Sequence, residues 1–347
     1  MARLPLHPLH PLHPRQSPQS RQSRQSRIPR LAAAAAAGTA LTVLAAGPAA
    51  AGDPTVTNPH IVAHFDFAAG QNAENIALEP DGSADITFAF AHQVARVGQD
   101  GGTEILATLP EVPGAVTLVG GAIATGIARA HDGTLYVNYV TGKRETGIWR
   151  LSPDGDLRQI GFFPANAVPN GLALDEECGT LYTADSALGT VWSLPVTGGE
   201  PTAWATGDAL EPTAELPFGA NGLKVHDGAV WVSNSARGTL LRIPIGPGPD
   251  HAAGPVETRA TGLTAIDDFA FTGHGDTVLA ALIQANKLEL VRPDGTHKTV
   301  LTDKDGLDNP TSVAVHAKKV YVNSAAYFNT LDPDPNLLLA RISKNKL

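Results

Sequence analysis

Six times between residues 74 and 347 the chain repeats one pattern: a short apolar strand, a tight turn, a second strand rich in β-branched and aromatic residues, then two more strands. Asn170-Gly-Leu-Ala-Leu is followed by Gly179-Thr-Leu-Tyr-Thr, Asn221-Gly-Leu-Lys-Val by Ala229-Val-Trp-Val, and Thr125-Gly-Ile-Ala by Gly133-Thr-Leu-Tyr-Val. Each pair alternates with period two and reads as a hairpin. The second residue of each first strand is Asn75, Gly126, Gly171, Gly222, Asp268 or Ser312, and successive markers lie 44 to 51 residues apart. That interval suits one four-stranded propeller blade. The fold class predicted is all-β, a six-bladed β-propeller of four-stranded antiparallel blades around a central channel.

Turn chemistry agrees. Pro80-Asp81-Gly82, His131-Asp132-Gly133, Pro153-Asp154-Gly155, His226-Asp227-Gly228 and Pro293-Asp294-Gly295 fall where strands should reverse. Asp supplies a local side-chain hydrogen bond there and Gly accepts positive φ. A propeller must also close, because an open blade leaves unpaired strand edges. The segment His60–Phe67 is expected to pair in the sixth blade beside the last strand, Leu337–Ile342. Trp149, Trp192, Trp204 and Trp231 occupy strand positions and are expected to pack between blades.

The repeat begins well inside the chain. Residues 1–51 hold no acidic residue, six of the 25 basic residues, and an apolar run from Leu31 to Gly47 that ends in Ala49-Ala50-Ala51. This reads as a secretory signal peptide cleaved after Ala51, since the run is shorter than the roughly 20 residues a membrane span needs. The expected product is a secreted, extracellular single domain over 52–347, with no membrane association after cleavage. Its 19 basic and 34 acidic residues leave a formal charge of −15, which disfavours nucleic acid as a partner. No obligate protein partner is evident. Cys178 is the only cysteine, so no intramolecular disulfide contributes to stability.

In a propeller the innermost strands surround the channel, so equivalent residues form a ring. The residue before each marker is Glu74, Thr125, Asn170, Asn221, Asp267 or Thr311. All six bear oxygen. Glu74, Asn170, Asn221 and Asp267 are hard donors of the kind calcium accepts, and their two negative charges match one divalent ion on the axis. As turn formers alone, Asn-Gly and Asp-Asp explain one or two of these positions less awkwardly than four in register.

The segments Ala73-Glu-Asn-Ile-Ala-Leu, Pro169-Asn-Gly-Leu-Ala-Leu, Ala220-Asn-Gly-Leu-Lys-Val and Ile266-Asp-Asp-Phe-Ala-Phe resemble the metal-ligand segments of the senescence-marker-protein/gluconolactonase superfamily, which includes luciferin-regenerating-type proteins. The order Glu, Asn, Asn, Asp is most similar to the diisopropyl-fluorophosphatase and paraoxonase branches. The resemblance implies that Glu74, Asn170, Asn221 and Asp267 bind one catalytic Ca2+, and that the chain hydrolyses a lactone, ester or phosphotriester. It puts Asp268 where the paraoxonase branch has a further ligand, an Asn; an Asp there adds negative charge or acts as a nearby base. Asp267, Asp268 and His92 are the candidate catalytic residues; His92, in the loop after the second strand of blade one, either reaches the mouth or is a solvated loop histidine. The gluconolactonase branch usually has Asp where this chain has Asn221, which disfavours a sugar-acid lactone. Thr125 and Thr311 occupy the remaining columns, and no histidine like those of the other two branches is found.

Asp185 and Asn234 end their strands near the axis and either hold ligand or water or simply form strand-end turns. Phe163, Phe218, Tyr327 and Phe328 either wall a substrate site or cap the core. No nucleophile elbow, Walker loop, His-Glu-x-x-His helix or Cys-x-x-Cys pair occurs. Two functions therefore stand. One is a secreted calcium-dependent hydrolase of a small ester-like molecule. The other is a non-catalytic extracellular binding module with structural calcium.

Overall fold

The computed structural model describes residues 52–343; the leader at 1–51 lies outside them. Among the described residues the strands form six four-stranded antiparallel sheets, the predicted six-bladed propeller. The inner strands are Ala73–Leu78, Ile123–Arg129, Pro169–Asp175, Ala220–His226, Ile266–Phe271 and Pro310–His316, one for each of blades one to six. In blades one to five the chain then meanders outward through three more strands.

Blade six closes the ring as the unpaired edges require. Its three consecutive strands are completed by Thr55–His64 from the beginning of the domain, which pairs antiparallel with Asn336–Ser343 from Thr55 opposite Ser343 to His64 opposite Asn336. Just ahead of it, Asp53 accepts two hydrogen bonds from the Arg292 guanidinium, at 2.8 and 2.7 Å, and Lys298 Nζ lies 2.9 Å away. These charges anchor the entering chain to blade five.

The apolar faces of the strands bury against their neighbours, so six of the seven core clusters lie one between each pair of adjacent blades, and the seventh joins Ala89, Ile123, Val140 and Val168 from blades one to three. Trp149, Trp192, Trp204 and Trp231 each belong to a different cluster, in the packing role expected of them. The predicted turns also form. Asp81, Asp132 and Asp294 accept the N–H two residues on, and the glycine after each has φ between +83° and +89°. Cys178 is a free, exposed thiol in the hairpin turn of blade three.

Close approach of the inner strands of blades two, three and four requires glycine after the ring residue in blades two and three. A Cβ on Gly126 would stand 2.1 Å from the Asn170 carbonyl oxygen, and one on Gly171 would stand 2.4 Å from that of Asn221. Backbone therefore lies against backbone on that side of the channel.

A candidate axial metal site

Every inner strand carries a register irregularity near its start, between Ala73 and Asn75, Ala124 and Ile127, Pro169 and Leu172, Ala220 and Leu223, Ile266 and Phe269, and Pro310 and Ser312. The ring residue sits inside each one. Such a bulge sets two residues against one and re-aims a side chain. Asn170-Gly171 and Asn221-Gly222 thus lie within strands and are not turns.

The structure brings Glu74, Asn170, Asn221 and Asp267 to one cavity of about 400 Å³. The two threonines of the column serve the scaffold instead: Thr125 Oγ1 donates to the Pro169 carbonyl and Thr311 Oγ1 to that of Ala73, both at 2.7 Å, tying each blade to the next. Asn221 donates Nδ2 to Ser235 Oγ at 2.7 Å, leaving its Oδ1 buried without a partner. Two carboxylates, an unpartnered amide oxygen and no lysine or arginine on the cavity wall fit a hard divalent cation such as calcium.

Electrostatics around the ring are strained in the metal-free chain. Burial pushes the Glu74 carboxyl up to about 7, opposed by the hydrogen bond Tyr327 Oη donates at 2.6 Å and reinforced by Asp268. Burial also lifts Asp267 well above the ordinary carboxylate range, with Glu74 and Asp268 adding repulsion. Folded Glu74 therefore holds its proton more tightly than unfolded Glu74, whose ordinary value is 4.5. Between those two values the native state binds more protons, so stability falls as pH rises. The metal-free protein is expected to lose several degrees of Tm between pH 5.5 and pH 8, and saturating calcium to remove that slope, as measured by scanning calorimetry.

The other candidates are placed differently. Asp268 is turned to Lys224, whose Nζ lies 2.7 Å from both carboxylate oxygens. His92 does not line the cavity; its Nε2 is 2.9 Å from the Ala122 carbonyl oxygen and its ring packs edge-on to Tyr139. A ring nitrogen held by a backbone carbonyl explains why this loop histidine stays away from the mouth. Asp185 accepts the backbone N–H of Val168, Ala187 and Leu188 and the Trp192 indole, while Asn234 donates to the carbonyls of Ala209 and Glu211. Both are strand-end turn residues. Phe218, Tyr327 and Phe328 wall the cavity, whereas Phe163 is buried in the core between blades two and three.

The roles of Lys224 and Tyr327 were not visible in the sequence. Tyr327 reaches the ring from the long blade-six loop; the sequence offered it as a wall of the site but not as the donor to Glu74. A separate acidic group, His226, Asp227 and Asp276, places three ligand atoms within 4.8 Å of one another. It lies at the far end of the blade-four inner strand from Asn221, and Arg259 Nη2 already approaches Asp276 at 3.7 Å.

No family model matches the chain, and no curated protein does. Solved structures share its fold. A gluconolactonase from Xanthomonas campestris is 15% identical, with 84% of this chain and 98% of that one covered and a TM-score of 0.58. A calcium-binding protein, regucalcin, from Agrobacterium tumefaciens is 14% identical over 80% and 92% of the two chains, with a TM-score of 0.59. The PQQ-bound aldose sugar dehydrogenase of Streptomyces coelicolor is 15% identical over 84% and 99%, with a TM-score of 0.61. At such identities the likeness is one of fold, and the fold carries unlike chemistries.

Proposed function

We propose that the protein is a secreted calcium-dependent hydrolase that opens a lactone, ester or phosphotriester carrying an apolar substituent. The observation that carries this reading is the convergence of Glu74, Asn170, Asn221 and Asp267 on one cavity whose remaining wall is mostly hydrocarbon. These four residues would hold one Ca2+. A bound calcium ion supplies Lewis-acid polarisation of a carbonyl or phosphoryl oxygen. Tyr327 fixes one oxygen of Glu74 by donating to it and so leaves the other for the ion. Asp267, the other carboxylate of the cavity wall, acts as base toward water or as nucleophile.

Phe90, Ile123, Leu216, Phe218, Ile283 and Phe328 line the same cavity. They exclude water and favour an alkyl or aryl group. A polyhydroxylated sugar acid would find few partners beyond Ser235 and Gln284. The acid-free, Ala-rich leader supports export.

The test is turnover of a panel of alkyl and aryl lactones, aryl esters and phosphotriesters by the purified mature protein, with and without chelator. Hydrolysis that disappears on chelation and returns with calcium is expected. Hydrolysis indifferent to chelation would remove the metal mechanism. A second reading, a non-catalytic extracellular binding module with structural calcium, is favoured by the lack of any histidine on the cavity wall. It gains if the protein binds calcium and turns over nothing.

A further inference from the structure

Three carboxylates, not two, are buried at the axis. Glu74 and Asp267 face the cavity, while Asp268, only 1% exposed, belongs to a tier one residue deeper. Asp268 is surrounded from across the ring. Lys224 reaches it from blade four with 2.7 Å contacts to both oxygens, and Asn75 Nδ2 approaches from blade one at 3.5 Å. Gly222 makes the room, since a Cβ there would stand 2.4 Å from Asp268 Oδ1. The ammonium is held in place, with its side chain only 25% exposed and Nζ 5.7 Å from the centre of the Phe269 ring.

A cation bridging both oxygens of a buried carboxylate does what a metal ion would do in that position. Lys224 leaves the axis with two net negative charges where it would otherwise carry three. Two is the charge that one divalent ion neutralises, whereas three such groups in low dielectric would draw in more cation or take up protons. Lysine at this place is peculiar to blade four. The equivalent positions three residues after the ring residue in the other blades are Ala77, Ala128, Ala173, Ala270 and Ala314.

We infer that Lys224 is a resident counter-ion that fills a second cation position in the axial channel, so that the ring takes a single divalent ion and Asp268 is withheld from it. The inference rests on the metal reading of the ring. It makes Lys224 a positioning residue and removes Asp268 from the candidate bases.

Calcium titration by isothermal calorimetry tests it on the wild type, Lys224→Met and the double variant Lys224→Met/Asp268→Asn. Lys224→Gln, which keeps a hydrogen-bond donor toward Asp268, replaces Lys224→Met if that variant does not fold. The single variant is expected to bind two ions per chain, or one ion at least tenfold more tightly than the wild type. The double variant, which loses one charge of each sign, is expected to return to wild-type stoichiometry and affinity. An unchanged stoichiometry with less than a tenfold gain in affinity overturns the inference, as does a gain that persists in the double variant. If the wild type binds no calcium but the single variant binds one ion, the ring reading falls and the role of Lys224 stands. If neither binds, both fall.

Discussion

Asp267→Asn is expected to lower calcium affinity at least about a hundredfold and to take hydrolysis to the level of the chelated protein, while raising the Tm of the metal-free chain. The opposite signs come from the same burial. Asp267 is one of two carboxylates on the cavity wall, and loss of a direct charged ligand should exceed the 10- to 100-fold typical of losing a ligand's supporting hydrogen bond. Without a metal, that carboxylate is pushed out of its ordinary range by desolvation and by Glu74 and Asp268. A neutral amide of nearly the same shape relieves both terms. Calorimetric titration reads the affinity, and scanning calorimetry with and without calcium reads the stability. An Asp267→Asn protein that binds calcium like the wild type would show that the ring is not the ion's site. One that loses both calcium binding and metal-free stability would show that Asp267 is a packing residue instead.

Deleting residues 52–64 is expected to abolish cooperative folding. The deletion strips the closing strand from blade six, and with it the partner of Asn336–Ser343, where Leu337, Leu338, Ala340 and Ile342 are buried. It also removes Ala63 from the core between blades six and one, and Asp53 from Arg292 and Lys298. A bare apolar edge is a template for aggregation, so the truncated chain should be recovered as aggregate or melt without a sharp transition. Thr55 lies opposite Ser343, which suggests the control. Appending 52–64 after Ser343 through a tight turn, in a chain that starts at Phe65, should restore a single cooperative melt. A truncated protein as stable as the parent would mean that the ring does not depend on this clasp.

The period and the turns were legible because they are local. Spacing of 44 to 51 residues, Asp-Gly reversals and alternating apolar residues determine six blades whatever happens at the axis. The ring column was legible for the same reason, since a repeat carries each residue to an equivalent place. Direction was not. A bulge at the start of every inner strand decides which side chain enters the cavity, and neither alternation nor spacing records it. The Asn-Gly pairs at 170 and 221 were its only trace, and they read equally well as turns. Contacts across the axis were hidden for a different reason. Asn75 and Asp268 meet although 193 residues separate them, and the Lys224 bond to Asp268 joins two blades at positions the repeat treats as unrelated. His92 shows the converse. Its loop was placed correctly, but a single bond to the Ala122 carbonyl turned the ring away, and no residue pattern foretells where one imidazole will dock.

The glycines at 126 and 171 have a consequence for how such a site can change. Because main chain lies against main chain there, the bore on that side of the channel is set by atoms common to every sequence. Residues such as Asn170 and Asn221 can then be exchanged for others of similar reach without widening or collapsing the barrel around them. Mutation can explore new donor sets one residue at a time, each intermediate still a closed propeller, so the chemistry of the axis is free to diverge while the frame that displays it is inherited intact.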